Sequence, residues 1–320
     1  MKKILLLTTS LYGYEEVIIN YLKKKNYNVK IINYSDRKYV EKRKIKNPFL
    51  KFFNNVFYRK IGKNLKNLQQ ANAVNEDLIK ENIKYDYIIK LGMLYLEKST
   101  LKLLKSQGKF LICHHWDKII DEKYFLFERS FFNKISSFSK EDSKKYNLFY
   151  LPNFYFKVTN EKNISIKNDI YTIMGDITRK NFLEELAVLL RKDGINYNFN
   201  LVTNQEIKSN LINIGKGIKL LEVLKNYEES KVILELVRER NKGTSTFRAI
   251  ECLGLKKKLV TNNKEIVNED YYNKNNILII NENNMNIPIE FINSCYQELP
   301  KEITEKYYID NWIDKLLKTK

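Results

Sequence analysis

The chain has 320 residues, 43% of them hydrophobic and 13% aromatic, which is enough apolar material to exclude a disordered chain and suggests about two domains. Lys and Arg number 57 against 38 Asp and Glu, a formal net charge of +19. That surplus points to partners carrying phosphate, or to simple drift in a composition rich in Lys, Asn, Ile and Tyr.

In chain order, the opening MKKILLLTTS has only four consecutive large apolar residues, too few for a secretory segment. No run approaches the ~18 apolar residues of a membrane span. A cytoplasmic protein is expected, possessing at most a peripheral association with the inner face of the cell membrane. Residues 3–9 (KILLLTT) read as a buried strand, 15–25 as a helix with Val17, Ile18, Tyr21 and Leu22 on one face, and 27–35 as a second strand. This β-α-β opening predicts a parallel sheet with right-handed crossovers. Strands at 85–92, 109–116 and 134–139, with a helix near 97–106, complete an open α/β domain over residues 1–157.

Residues 153–169 read as a linker. The alternation then restarts. Strands are expected at 169–176, 196–203, 231–236, 257–263 and 276–280, and helices at 181–194, 219–230 and 245–254. The second α/β domain therefore covers 158–301, and a helix near 303–317 can return to the first domain (residues 302–320). Cys113, Cys252 and Cys295 are far apart, odd in number and without a CxxC, which fits buried thiols in a reducing compartment rather than disulfides or a zinc framework.

The most informative stretch is residues 243–263, GTSTFRAIECLGLKKKLVTNN. Gly243, Thr244, Ser245 and Thr246 precede a helix start, where a hydroxyl cap and backbone N–H groups make an anion site. Arg248 in the first turn suits a phosphate, and Glu251, three residues on, suits a ribose diol. An Arg–Glu ion pair on a capped helix is the alternative reading of the same spacing.

This stretch resembles the donor-nucleotide segment of GT-B-fold glycosyltransferases that build bacterial lipopolysaccharide and capsule. In that group a G-x-[ST]-x-R-x-x-E helix leads into a strand ending in T-N-N. Residues 268–280 (NEDYYNKNNILII), 227–236 (YEESKVILEL), 134–155 and the W-D of 116–119 are similar to the group as well. Here the glycine stands one position early relative to Arg248. The E-x7-E pair of many retaining members is absent, because Gly243 stands eight residues before Glu251, and no Asp-x-Asp occurs. The resemblance implies two Rossmann-like domains facing a cleft, a nucleotide-sugar donor, a glycan or lipid-linked acceptor, no metal or other cofactor, and weakly an inverting outcome.

Both histidines of the chain fall in FLICHHWD, residues 110–117. The carboxyl end of a strand in an open α/β sheet is where ligands bind. Asp117, and after it His115, are the candidate bases for an acceptor hydroxyl, with Gly13, His114 and Trp116 as acceptor or cleft residues. Packing is the alternative. Adjacent residues on a strand point to opposite faces, which argues against both histidines serving one metal. Residues 47–66 carry Phe49, Phe52, Phe53, Val56, Phe57 and Ile61 at helical spacing. With the basic 37–46 before them, they suit either an anionic membrane surface or an ordinary core helix. Arg179, just after the first strand of the second domain, is a candidate for the donor pyrophosphate. A non-catalytic nucleotide-sugar-binding subunit, or a basic nucleic-acid-binding protein, is the competing class; no nucleic-acid motif is present, so no nucleic acid is expected as a partner.

Overall fold

The computed structural model describes residues 1–10, 13–42, 48–49, 65–92, 94–157, 164–238 and 243–318. Most of the aromatic, basic segment expected as an amphipathic helix thus lies outside the described residues. The chain divides into two compact units, one of Met1–Leu151 with Ile313–Lys320, the other of Pro152–Trp312.

The first unit is built on six parallel strands: β1 (Lys3–Thr8), β2 (Asn28–Asn33), β3 (Tyr85–Leu91), β4 (Gly108–His115), β5 (Lys134–Ser137) and β6 (Phe149–Tyr150). Their spatial order is β2-β1-β3-β4-β5-β6. Helices Tyr14–Lys24, Leu65–Glu81, Lys98–Gln107, Glu122–Glu128 and Lys140–Tyr146 lie between the strands in sequence. Ile4, Leu5, Leu6 and Leu7 are all fully buried, as a central parallel strand covered on both faces requires. The core joins Leu5, Leu7 and Ile88 to Val74 and Leu78 of the long helix and to Leu101 and Leu104 of the next.

The second unit repeats the plan with β7 (Asn168–Met174), β8 (Tyr197–Val202), β9 (Asn213–Gly215), β10 (Ser230–Glu235), β11 (Lys258–Thr261) and β12 (Ile277–Ile279). All are parallel, in the order β12-β11-β10-β7-β8-β9. Helices Lys180–Lys192, Leu220–Glu228 and Phe247–Leu255 are its principal connections. Leu183, Leu186, Ala187 and Leu190, at helical spacing, pack with Ile170, Val232 and Val260 of the sheet. Both units are Rossmann-like, so the α/β class read from the alternating pattern is the class of the fold.

Two expectations need correction. The single helix near 303–317 is two helices, Lys301–Glu305 and Ile309–Leu317. Between them the backbone turns to Tyr155, whose N–H donates to Tyr307 O at 2.9 Å while Ile309 N–H donates back to Tyr155 O at 3.0 Å. Those groups are then lost to the helical ladder. The stretch 153–169 is not a bare linker either. Phe154 and Phe156 are buried, and the Phe154 ring lies 4.7 Å from that of Trp312.

Candidate functional site

In an open parallel sheet, ligands bind beyond the carboxyl ends of the strands where the strand order reverses. In the second unit that point lies between β7 and β10. Glu235, the last residue of β10, is buried there. Thr246 Oγ1 donates to one of its oxygens and Thr261 Oγ1 donates to the other at 3.2 Å. The same Thr246 oxygen accepts from Ala249 N–H at 3.2 Å, capping helix Phe247–Leu255. Threonine suits this position because its short side chain reaches the first turn while its backbone stays extended.

The loop leading into the cap is strapped down. Gly243, at φ +80°, donates its N–H to Asn263 Oδ1 at 3.1 Å. Asn263 Nδ2 donates in turn to Thr244 O at 3.3 Å. Ser245 O accepts from Asn153 Nδ2 at 3.0 Å, and Ser245 Oγ accepts from Tyr271 OH at 3.2 Å. Thr244, Ser245 and Glu251 are buried. Residues 239–242, immediately before, lie outside the described residues.

Arg248 is turned toward the sheet. Its Nε donates to Tyr227 OH at 2.8 Å and its Nη2 to Ile173 O at 2.5 Å. Burial works against its charge, but the Tyr227 hydroxyl, Glu235 and Glu251 around it hold its pKa above the ordinary range. Its positive charge is therefore fixed at the end of β7.

Beyond β7 stands Asp176, whose Oδ1 accepts from Thr178 N at 3.2 Å and Thr178 Oγ1 at 2.8 Å. These bonds hold its carboxyl below the usual range. Two guanidinium groups share the other oxygen: Arg238 Nε at 2.9 Å and Arg179 Nε at 3.8 Å. Burial, and then the charge of Arg248, draw Arg179 down to about 10. Three arginines, Arg179, Arg238 and Arg248, thus stand with three carboxylates, Asp176, Glu235 and Glu251, and their formal charges balance. The structure gathers Arg179, Thr246 and Arg248, which the sequence nominated, with Asp176, Glu235 and Arg238, which it did not. Each of the latter three stands at or just after the end of an apolar strand run, which is the signal that would have found them.

In the first unit, β4 carries His114 and His115 to opposite faces. His114 is fully buried, with Nδ1 2.9 Å from Ser136 Oγ on the neighbouring strand. Burial, with Lys134, lowers its pKa to about 3. His115 Nε2 lies 3.4 Å from Cys113 Sγ and 3.9 Å from Glu128 Oε1. Burial, then Lys90 and His114, lower it to about 3 as well. Lys90 and Glu128 form a fully buried ion pair at 2.5 Å. Burial pushes the Glu128 carboxyl up, against the opposing pull of the Lys90 ammonium. Trp116 is buried over Gly92, and Asp117 is partly exposed. Gly13, at φ +108°, opens helix Tyr14–Lys24 beyond β1 and accepts from Val17 N–H.

No family model matches the sequence, and no curated protein matches it. Solved structures do resemble the fold. A Listeria monocytogenes chain assigned as a UDP-N-acetylglucosamine 2-epimerase superposes with a TM-score of 0.58 at 9% identity, over 98% of this chain and 94% of its own. HepE of Anabaena, solved in complex with UDP-glucose, gives 0.57 at 12% identity over 99% and 98%. Sucrose-phosphate synthase of Thermosynechococcus elongatus gives 0.53 at 12% identity over 99% and 90%. The chain therefore has the GT-B-like fold of two Rossmann-like domains.

Proposed function

We propose that the protein is a glycosyltransferase that moves a sugar from a nucleotide-sugar to a cell-surface glycan or a lipid-linked acceptor. The observation that carries the reading is the cluster of three arginines at the switch point of the second sheet, beside a capped helix N-terminus. A pyrophosphate placed there would take Arg179 and Arg238 from their shared carboxylate. Arg248, held by Tyr227 and Ile173, supplies a fixed charge that stabilises the departing nucleotide phosphate in the transition state. Glu251 is the candidate partner of the ribose. In the first unit Asp117 is the candidate base for the acceptor hydroxyl. The burial of His115 leaves Asp117 as the member of that pair within reach of solvent. The reaction so drawn is inverting and uses no metal.

A second reading, epimerisation within a nucleotide-sugar, draws its support from the activity assigned to the Listeria neighbour. The two separate on one measurement. The protein is incubated with labelled UDP-sugars and the products are resolved, alongside thermal shifts with UDP, GDP, CMP and ADP. A ligand at ~100 times its Kd raises stability by about 2.7 kcal/mol. Release of free nucleotide, abolished by Asp117→Asn, supports transfer. An epimer with the nucleotide still attached supports the second reading. Stabilisation that is equal in wild type and Arg179→Ala removes the proposed donor site.

A further inference from the structure

Neither the donor chemistry nor the candidate base uses the group formed by Cys113, His115 and Glu128. All three residues are buried, and one ligand atom from each lies within 4.8 Å of the others. Cys113 and His115 are two apart on β4, so they share a face of the sheet. Glu128, the last residue of helix Glu122–Glu128, comes down onto that face. Thiolate, imidazole and carboxylate together form the mixed soft and borderline donor set that suits zinc.

The spacing is that of ligands around one ion. Bonds of about 2.3 Å to sulfur and 2.0 Å to nitrogen or oxygen, at tetrahedral angles, set ligand atoms roughly 3.3–3.5 Å apart. Here Cys113 Sγ and His115 Nε2 are 3.4 Å apart, and His115 Nε2 and Glu128 Oε1 are 3.9 Å apart. The other ring nitrogen, His115 Nδ1, is buried with no hydrogen-bond partner among the described residues, so Nε2 is the nitrogen turned toward the other two donors. Beside the group lies a cavity of about 20 Å³ lined by Lys90, Tyr95, His115, Asp121, Tyr124 and Glu128. That is room for one water as a fourth ligand.

We infer that Cys113, His115 and Glu128 form a binding site for a zinc-like divalent ion in the first unit. Cys113 loses its proton to solvent as the ion binds. Glu128 meets the ion through Oε1 while Lys90 stays on Oε2, the outer partner that orients a ligating carboxylate. Lys90 also limits affinity, because its charge opposes that of the ion.

The test is a cobalt(II) and zinc(II) titration of metal-stripped full chain carrying Cys295→Ser, which removes the exposed thiol. One equivalent of cobalt(II) should produce a thiolate-to-cobalt charge-transfer band, and zinc(II) should displace it and raise the melting temperature. Cys113→Ser should abolish the band, and His115→Gln should weaken binding at least tenfold. Lys90→Met should bind at least tenfold more tightly and recover stability when zinc is added. A band that survives Cys113→Ser overturns the site, as does the absence of cobalt and zinc binding in both the parent and Lys90→Met. If His115→Gln fails to fold, the Cys113→Ser result decides.

Discussion

His114 and His115 are both held neutral by burial, each with a pKa near 3. The unfolded chain, with histidines near 6.5, binds more protons than the folded one below that pH. Stability from this source is complete above about 6.5 and is lost as pH falls toward 3, at about 1.4 kcal/mol per pH unit for each histidine. Urea unfolding between pH 7 and 4 should show this slope, reduced by about half in His114→Gln. A flat wild-type profile would mean that the histidines are not buried as described. In the second unit, Thr246→Ala removes the cap of helix Phe247–Leu255 and one donor to Glu235, a loss of about 1–2 kcal/mol that Thr246→Ser should largely recover. Thr246 and Arg248 were legible in the sequence because cap and first turn are neighbours along the chain. Arg238 and Asp176, and Lys90 and Glu128, were not, since the partners stand 62 and 38 residues apart. Only the folded sheet brings them together.

Two glycines show how elements are fitted to each other. Gly92, at φ +74°, follows β3, and its N–H donates to His114 O at 2.8 Å. A Cβ there would stand 2.2 Å from Trp116 Nε1. Gly92→Ala adds an unfavourable backbone conformation to that overlap and should cost on the order of 2–4 kcal/mol, measured by chemical denaturation. In Gly254→Ala the new methyl would meet the Tyr155 ring at 2.2 Å. Helix Phe247–Leu255 should keep its helicity by circular dichroism, since alanine favours helix, while the melting temperature falls. A higher melting temperature would show that Tyr155 can move away. At this scale most strands were readable as runs of apolar residues buried on both faces. Among the elements missed are helix Leu65–Glu81 and the short β9. The helix follows an aromatic, basic segment that dominates the local pattern, and β9 has three residues, Asn213, Ile214 and Gly215, with only one apolar side chain.

At the scale of the whole molecule, each unit has its own sheet and its own core. No helix among the described residues is long and apolar enough to cross a membrane. The first unit also includes Ile313–Lys320, in which Ile313, Leu316 and Leu317 are buried. Lys134 Nζ, from β5, donates to the carbonyls of Lys315 at 2.5 Å and Lys318 at 3.0 Å, closing the end of helix Ile309–Leu317. Lys134→Met leaves those carbonyls without that donor and should lower stability by about 1–2 kcal/mol, seen as a shifted urea midpoint. Domains emerging from a ribosome generally fold in order, the first before the second. Here the first unit lacks part of its core until Pro152–Trp312, roughly 160 residues, has also been made. At 5–20 residues per second that interval is about 8–30 s. Throughout it the nascent first unit holds an open apolar seat for Ile313, Leu316 and Leu317, a window in which chaperones find a substrate and neighbouring chains find each other.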